Sequence, residues 1–334
     1  MSETFLPKRA IIELPYICNL KCQNCGLWKK DYRKLRAEEK DLLTPAEIEK
    51  IQKELKEYGI KRISYIGGEP FLNKDILDLA KSAKKCGLET AAVTNGTALS
   101  DKDIEKIVSQ ELFNTIVFSL DGPENIHDYI RGKKGTFLAL KESILLFRKL
   151  KNLNKKKLPK TYIYCTLSKL NYKYAEQVWK NALSFNANLL RFQSASSLNS
   201  EILKKTSEIL GFETGDIHSY FNSNSLNRAQ IEKISKTIRK IKSSKFTMKV
   251  ETEPILEGKK NSVCSFIGQD LVITPSGKVL LCPMAVGWIA GDIRKEGIKD
   301  ILNRTQEKAK KIKEEAQKGK LPICYQCCVS KINI

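Results

Sequence analysis

Three cysteines, Cys18, Cys22 and Cys25, are spaced four and three residues apart just after the apolar residues Ile11, Ile12 and Leu14. Three thiolates that close in one loop can hold a single soft metal centre. A cubane cluster has four irons, so three cysteines leave one iron open to another ligand. A structural zinc knot or a disulfide pair is the plainer reading of the same trio. Zinc asks for a fourth Cys or His close by, and none follows before Cys86. Both histidines, His127 and His218, are remote in sequence.

A second cysteine set lies near the end of the chain. Cys264, Cys282, Cys324 and Cys327 supply four thiolates. Four suffice to ligate every iron of a [4Fe–4S] cluster, and equally to hold a structural zinc. Residues 270–282 read as a hairpin turning at Pro275, Ser276 and Gly277, which brings Cys264 and Cys282 toward each other. Cys328 is left over.

Between the two sets, short polar motifs fall where apolar runs end. Gly67, Gly68, Glu69 and Pro70 form the first; glycines permit close backbone approach and a carboxylate can hold an ammonium. Thr94 and Asn95 precede Gly96, and Ser119 and Asp121 precede Gly122. Short polar side chains at strand ends can reach ribose hydroxyls, although Asn-Gly and Asp-Gly are also ordinary turn pairs.

The elements that must position these motifs alternate. Apolar runs at residues 11–14, 60–66, 88–94, 115–120, 162–167 and 188–192 read as strands. Helical segments lie between them. Thr44, Pro45 and Glu47 form a capping box for a helix that Gly59 ends, Asn73 caps a helix reaching Cys86, and Ser100 caps another. Residues 136–150 and 172–184 complete the set. Six strand–helix repeats predict an α/β fold with parallel strands, helices outside, and chemistry at the C-terminal strand ends. Six is fewer than the eight of a closed barrel, so the expectation is a partial (β/α)6 TIM barrel. It would span residues 1–193, followed by an inserted helical segment (194–250) and a small cysteine-rich module (251–334). The insertion shows amphipathic stretches at 201–210 and 228–241, then a strand-like 246–250. Residues 298–317 read as one helix.

The 334 residues carry a formal charge of +21, with Lys and Arg at 59 against 38 Asp and Glu. Lysines spread over solvated helix faces account for this. The densest patch, 148–160, has no interleaved aromatics of the kind that stack on bases, though the charge leaves nucleic acid open as a partner. No apolar run reaches the length of a membrane span, and no signal pattern opens the chain. A cytoplasmic protein with reduced thiols follows as the expectation, and ten cysteines then read as metal ligands.

With these residues in view, the spacing Cys18, Cys22, Cys25 resembles that of the radical S-adenosylmethionine (SAM) superfamily. The resemblance implies a [4Fe–4S] cluster whose open iron chelates the amino and carboxylate groups of SAM. Cleavage then yields a 5′-deoxyadenosyl radical. By the same resemblance Gly67, Gly68, Glu69 and Pro70 bind the SAM amino group, and Ser119 and Asp121 lie near the ribose and carboxylate. The run from Asp121 through His127 to Arg131 and Gly132 is similar to the peptide- and sugar-modifying members, where an Arg at the position of Arg131 pairs with the SAM carboxylate. His127 reads as structural. Thr166, Leu167 and Asn171 match a stretch that contributes to adenine binding. One departure is Asn24, where the family usually carries an aromatic; Trp28 is the candidate replacement.

The C-terminal set resembles a twitch module, the short form of the SPASM domain, with one auxiliary [4Fe–4S] cluster. The chain thus looks like a radical SAM oxidoreductase of the alcohol- or cyclitol-dehydrogenating type, reduced by a flavodoxin or ferredoxin. Arg191 is the candidate partner for a substrate oxyanion. Peptide modification is an alternative, set against a first strand beginning near Ala10 that leaves no room for a leader-recognition domain. Radical epimerisation is another, with Cys165 or Cys328 as thiol donor. A non-catalytic iron–sulfur or zinc protein binding RNA is the reading from a different class.

Overall fold

The computed structural model describes residues 7–28, 41–195, 200–213, 224–244, 246–257, 266–283 and 287–325. Its centre is one sheet of ten strands in the order β10-β9-β8-β1-β2-β3-β4-β5-β6-β7. The strands are β1 (Arg9–Glu13), β2 (Arg62–Ile66), β3 (Glu89–Thr94), β4 (Thr115–Ser119), β5 (Lys160–Leu167), β6 (Leu189–Ser194), β7 (Lys249–Thr252), β8 (Asp270–Ile273), β9 (Lys278–Leu280) and β10 (Ile289–Asp292). From β1 to β7 all neighbours are parallel.

The six expected strands are present in the expected order, and the sheet grows at both edges. β7 adds in parallel to β6, and β8 adds in parallel to β1. β7 carries Lys249 and Glu251 with only Val250 as an apolar residue, so its pattern was too weak to extend the repeat. β8 and β9 form the predicted hairpin, which therefore continues the barrel sheet.

The helices are α1 (Pro45–Tyr58), α2 (Ile76–Lys85), α3 (Asp101–Ser109), α4 (Glu124–Arg131), α5 (Thr136–Leu153), α6 (Ala175–Ser184), α7 (Ser200–Leu210), α8 (Arg228–Ser243), α9 (Ile298–Arg304), α10 (Gln306–Gln317) and α11 (Pro322–Tyr325). The capping box of α1 forms as its sequence dictates. Thr44 Oγ1 accepts from Glu47 N, Thr44 N donates to the Glu47 carboxylate, and Gly59 closes the helix at φ 108°. Asn73 does not cap α2. Its side chain accepts from Asp75 N at 2.8 Å, a local turn that delays the helix to Ile76. The helix expected over 298–317 breaks at Thr305 into α9 and α10.

Strand alternation decides which side chains face the site. Tyr65, Ala92, Phe118, Cys165, Leu167 and Phe192 belong to the large core that includes the helices. On the opposite face Val117, Tyr164 and Leu189 form a small cluster with Val93 and Tyr162. The C-terminal module is also held by charge. Arg294 Nε donates to Glu47 Oε1 at 2.8 Å and Nη2 to the Leu42 carbonyl at 2.7 Å, across the start of α1. Among the described residues no helix is long and apolar enough to cross a membrane.

Candidate active site

The cysteine loop leaves the C-terminal end of β1 and is gripped from two sides. On one side stands the turn after β2. Leu14 N donates to the Ile66 carbonyl and Glu69 N to the Ile17 carbonyl, both at 2.8 Å. A Cβ on Gly67 would lie 2.6 Å from the Leu14 carbonyl oxygen, and one on Gly68 only 2.2 Å from that of Ile17. The two glycines therefore admit the backbone of the cysteine loop itself. On the other side stands the end of α4, a helix the sequence pattern did not reveal. Gln23 N donates to the Ile130 carbonyl at 2.7 Å, and a Cβ on Gly132 would sit 2.5 Å from the Lys21 carbonyl oxygen.

A first prediction arises here. Gly68→Ala forces the loop away from β2, because a backbone carbonyl cannot yield as a flexible side chain can. The expected cost is about 2 kcal/mol or more. The expected outcome is a lower Tm together with reduced iron retention after anaerobic reconstitution.

Within the loop, Cys25 N and Trp28 Nε1 both donate to the Cys22 carbonyl, at 3.1 and 2.8 Å. Trp28 thus folds over the loop and lines the cavity below it. Cys18, Cys22 and Cys25 line that cavity with Gly67, Gly68, Glu69, Thr94, Asn95, Ser119, Asp121, Arg131 and Thr166. Its volume of about 530 Å³ lies in the range of cofactor sites. Tyr16 also lines it, a residue sequence reasoning missed, and its hydroxyl donates to Glu13 at 2.5 Å. Burial pushes the Glu13 carboxyl up to about 7.

The polar wall is ordered by hydrogen bonds. Glu69 accepts from Thr94 Oγ1 at 2.7 Å, Asn95 N at 2.8 Å and Phe71 N at 3.2 Å. Burial raises its pKa, against the opposing pull of those donors. Its carboxylate thereby locks the end of β3 to the turn after β2. Asp121 and Arg131 form a buried ion pair at 2.7 Å. Asp121 also accepts from Thr166 N at 3.2 Å, and Asn171 Nδ2 donates to the carbonyls of Asp121 and Thr166. His127 is fully buried, and its Nδ1 accepts from Asp121 N. Burial, with Arg131 nearby, lowers its pKa to about 3, so it is a neutral structural group.

These residues fit a cluster. The three thiols stand around one cavity. Arg131 Nη1 approaches Cys22 Sγ at 3.9 Å and Asn95 Nδ2 approaches Cys18 Sγ at 4.0 Å, donors suited to sulfur ligands. Burial raises Cys18 and pushes Cys25 up to about 11, so a cation is what would draw them into the thiolate form.

Residues 12–178 match the radical SAM superfamily. The chain belongs to that superfamily. Residues 264–328 match SPASM, an iron–sulfur cluster-binding domain. Among curated relatives, an Fe-coproporphyrin III synthase of Methanosarcina barkeri is 34% identical over 36% of this chain and 29% of its own length. The sporulation killing factor maturation protein SkfB of Bacillus subtilis is 30% identical over 46% and 35%. The matches thus span about a third of these relatives. In fold, the chain is similar to SuiB of Streptococcus suis bound to SAM, with a TM-score of 0.68, 16% identity, and coverage of 89% of this chain and 65% of that one. Native anSMEcpe with bound AdoMet gives 0.65, 20%, 98% and 92%.

A radical SAM domain binds a [4Fe–4S] cluster and SAM, and when bound these supply a 5′-deoxyadenosyl radical. Cys18, Cys22 and Cys25, which line one cavity, are the residues that would hold that cluster. Gly67, Gly68, Glu69, Thr94, Asn95, Ser119, Asp121 and Thr166, all lining the cavity, lie at the ends of β2 to β5. Several expectations are corrected. Pro70 is buried at the start of a short helical turn and Leu167 is packed in the core; neither lines the cavity. Cys165 shares the core face with Leu167 and is fully buried, facing Asn171 rather than the cavity. Arg191 is buried against Glu251, 3.4 Å away, and lies over the Tyr164 ring, so its charge is already met by a carboxylate. In the SPASM domain, Cys282 and Cys324 end up buried and half-buried. Cys264, Cys327 and Cys328 lie outside the described residues.

Proposed function

We propose that this chain is a radical SAM oxidoreductase that takes a hydrogen atom from a C–H carbon of its substrate and then removes one electron. The hydrogen leaves with the adenosyl fragment as 5′-deoxyadenosine, the electron passes to the C-terminal iron–sulfur centre, and a proton goes to solvent. The product is poorer by two hydrogens. What carries the reading is that the two cysteine-bearing regions share one sheet. β8, which leads through β9 to Cys282, is paired along β1, whose end bears the Cys18 loop. The C-terminal set has a thiolate for every iron, which suits electron transfer over substrate ligation. A hydroxyl-bearing carbon of a sugar or cyclitol is the first substrate class, with a flavodoxin or ferredoxin as reductant.

A peptide substrate is the second reading. Among the relatives, the PqqA peptide cyclase of Bradyrhizobium diazoefficiens is 28% identical over 39% of this chain. SuiB has been solved with its precursor peptide SuiA and matches this fold at a TM-score of 0.64. Epimerisation is disfavoured by the burial of Cys165, which removes one of its two candidate thiols from the cavity.

The test is turnover in heavy water with candidate sugars, cyclitols and peptides, read by mass spectrometry. Oxidation gives a product lighter by two mass units with no deuterium at carbon. A product of substrate mass plus one, deuterated at an inverted carbon, contradicts it.

A further inference from the structure

Asn24 explains its own departure from an aromatic residue. Its Nδ2 donates to Ser168 Oγ, and its Oδ1 accepts from Asn224 Nδ2, both at 3.2 Å. Asn224 belongs to the inserted segment, and its carbonyl accepts from Lys169 N at 2.9 Å. The insertion is thus docked on the β5 end and on the cysteine loop at Asn24, the residue before Cys25.

The same insertion holds the other cysteine set. Thr206 is fully buried on α7, and its Oγ1 accepts from Ile323 N at 3.2 Å. Ile323 directly precedes Cys324 on α11. Lys311 Nζ on α10 donates to the Leu210 carbonyl at 2.6 Å. Lys308 Nζ lies 4.3 Å from the Phe212 ring, which packs edge-on against buried Trp288. Leu203 and Leu210 on α7, and Ile234 and Ile238 on α8, are buried in the common core, so both helices of the segment are anchored.

We propose that the inserted segment ties the two iron–sulfur sites together, with Asn224 positioning the first through Asn24 and Thr206 positioning the second through the Cys324 turn. Both contacts are polar, specific to one side chain, and one residue from a cysteine of each set. A hydrophobic residue at 24 would pack there without gripping Asn224. The inference rests on the two cysteine sets holding clusters, and is independent of whether the substrate is a sugar or a peptide.

The experiment uses anaerobically reconstituted holoenzyme without substrate. The variants are Asn24→Ala, Asn224→Ala, their double, Thr206→Val and Asn224→Asp. Each is read by hydrogen exchange in peptides covering 16–28 and 318–325, and by the EPR spectra of the two reduced clusters with and without SAM. Asn224→Ala is expected to speed exchange in 16–28 by about five-fold, the loss of one hydrogen bond, and Asn24→Ala by more, since it also loses the bond to Ser168. Both should alter the SAM-dependent spectrum of the first cluster, and the double should not exceed Asn24→Ala. Thr206→Val is expected to do the same to 318–325 and the second cluster alone. Asn224→Asp should keep native behaviour, because the Asn24 amide can turn to donate to Asp while the Ser168 hydroxyl moves its proton from Asn171 Oδ1, which still accepts from Ser168 N, to Asn24 Oδ1. If Asn224→Ala leaves 16–28 and the first spectrum native while Asn24→Ala changes them, Ser168 alone holds the loop and the tie is refuted. A silent Thr206→Val refutes it at the second site.

Discussion

Cys22→Ala is expected to abolish 5′-deoxyadenosine formation from SAM in the reduced, reconstituted protein. The substitution isolates the ligand, because the backbone contacts of Cys22 survive it. Its carbonyl still accepts from Cys25 N and Trp28 Nε1, so the loop keeps its shape. What is lost is one of three thiolates, and with it the partner of Arg131 Nη1. Replacing Cys18, Cys22 and Cys25 together should lower bound iron from about eight atoms per chain to about four, the content of the C-terminal cluster alone. Iron and sulfide analysis beside product chromatography checks both. Unchanged SAM cleavage in Cys22→Ala would place the chemistry elsewhere.

Arg131→Ala carries the second large effect, and it acts on stability as well as on SAM. Arg131 and Asp121 are both mostly buried, their charged atoms 2.7 Å apart. Removing the guanidinium leaves a buried carboxylate that still accepts from Thr166 N. Breaking a buried pair in this way costs about 3–5 kcal/mol. Removing both charges, as in Asp121→Asn with Arg131→Met, should cost less, because no uncompensated charge remains. Denaturant melts of the three proteins test this order. Equilibrium dialysis should show weaker SAM binding for Arg131→Ala while iron content holds. A double variant less stable than Arg131→Ala would refute the ion-pair account.

Much of this site was legible because its chemistry is local in sequence. The three cysteines, the Gly67–Gly68 turn and the polar strand ends each announce themselves within a few residues, and the cavity gathers most of them. The glycines were read as room for a ligand, whereas the close approach is to the loop's own backbone, a contact between residues fifty positions apart that spacing does not display. Cys165, Thr166 and Leu167 illustrate an error the sequence could have prevented. Neighbouring strand residues face opposite sides, so Thr166 at the cavity places Cys165 and Leu167 in the core. Arg191 was exposed to a different limit: its partner Glu251 sits on β7, a four-residue strand without an apolar run. The short helix α4 was hidden for a related reason, since only His127 and Ile130 are buried along it and Pro123 replaces a side-chain cap. Asn24 was noticed as an exception, yet its partners Ser168 and Asn224 come from distant segments that nothing in the pattern connects.

On this reading the loop of Cys18, Cys22 and Cys25 holds a cluster with one iron open to SAM. The most direct test is electron–nuclear double resonance of the reduced holoenzyme with SAM labelled by ¹⁵N at the amino group and ¹⁷O at the carboxylate. Hyperfine coupling from both labels to the reduced N-terminal cluster is expected, and its loss in Cys22→Ala. A reduced cluster with no coupling to either label, in protein shown by dialysis to bind SAM, would contradict it.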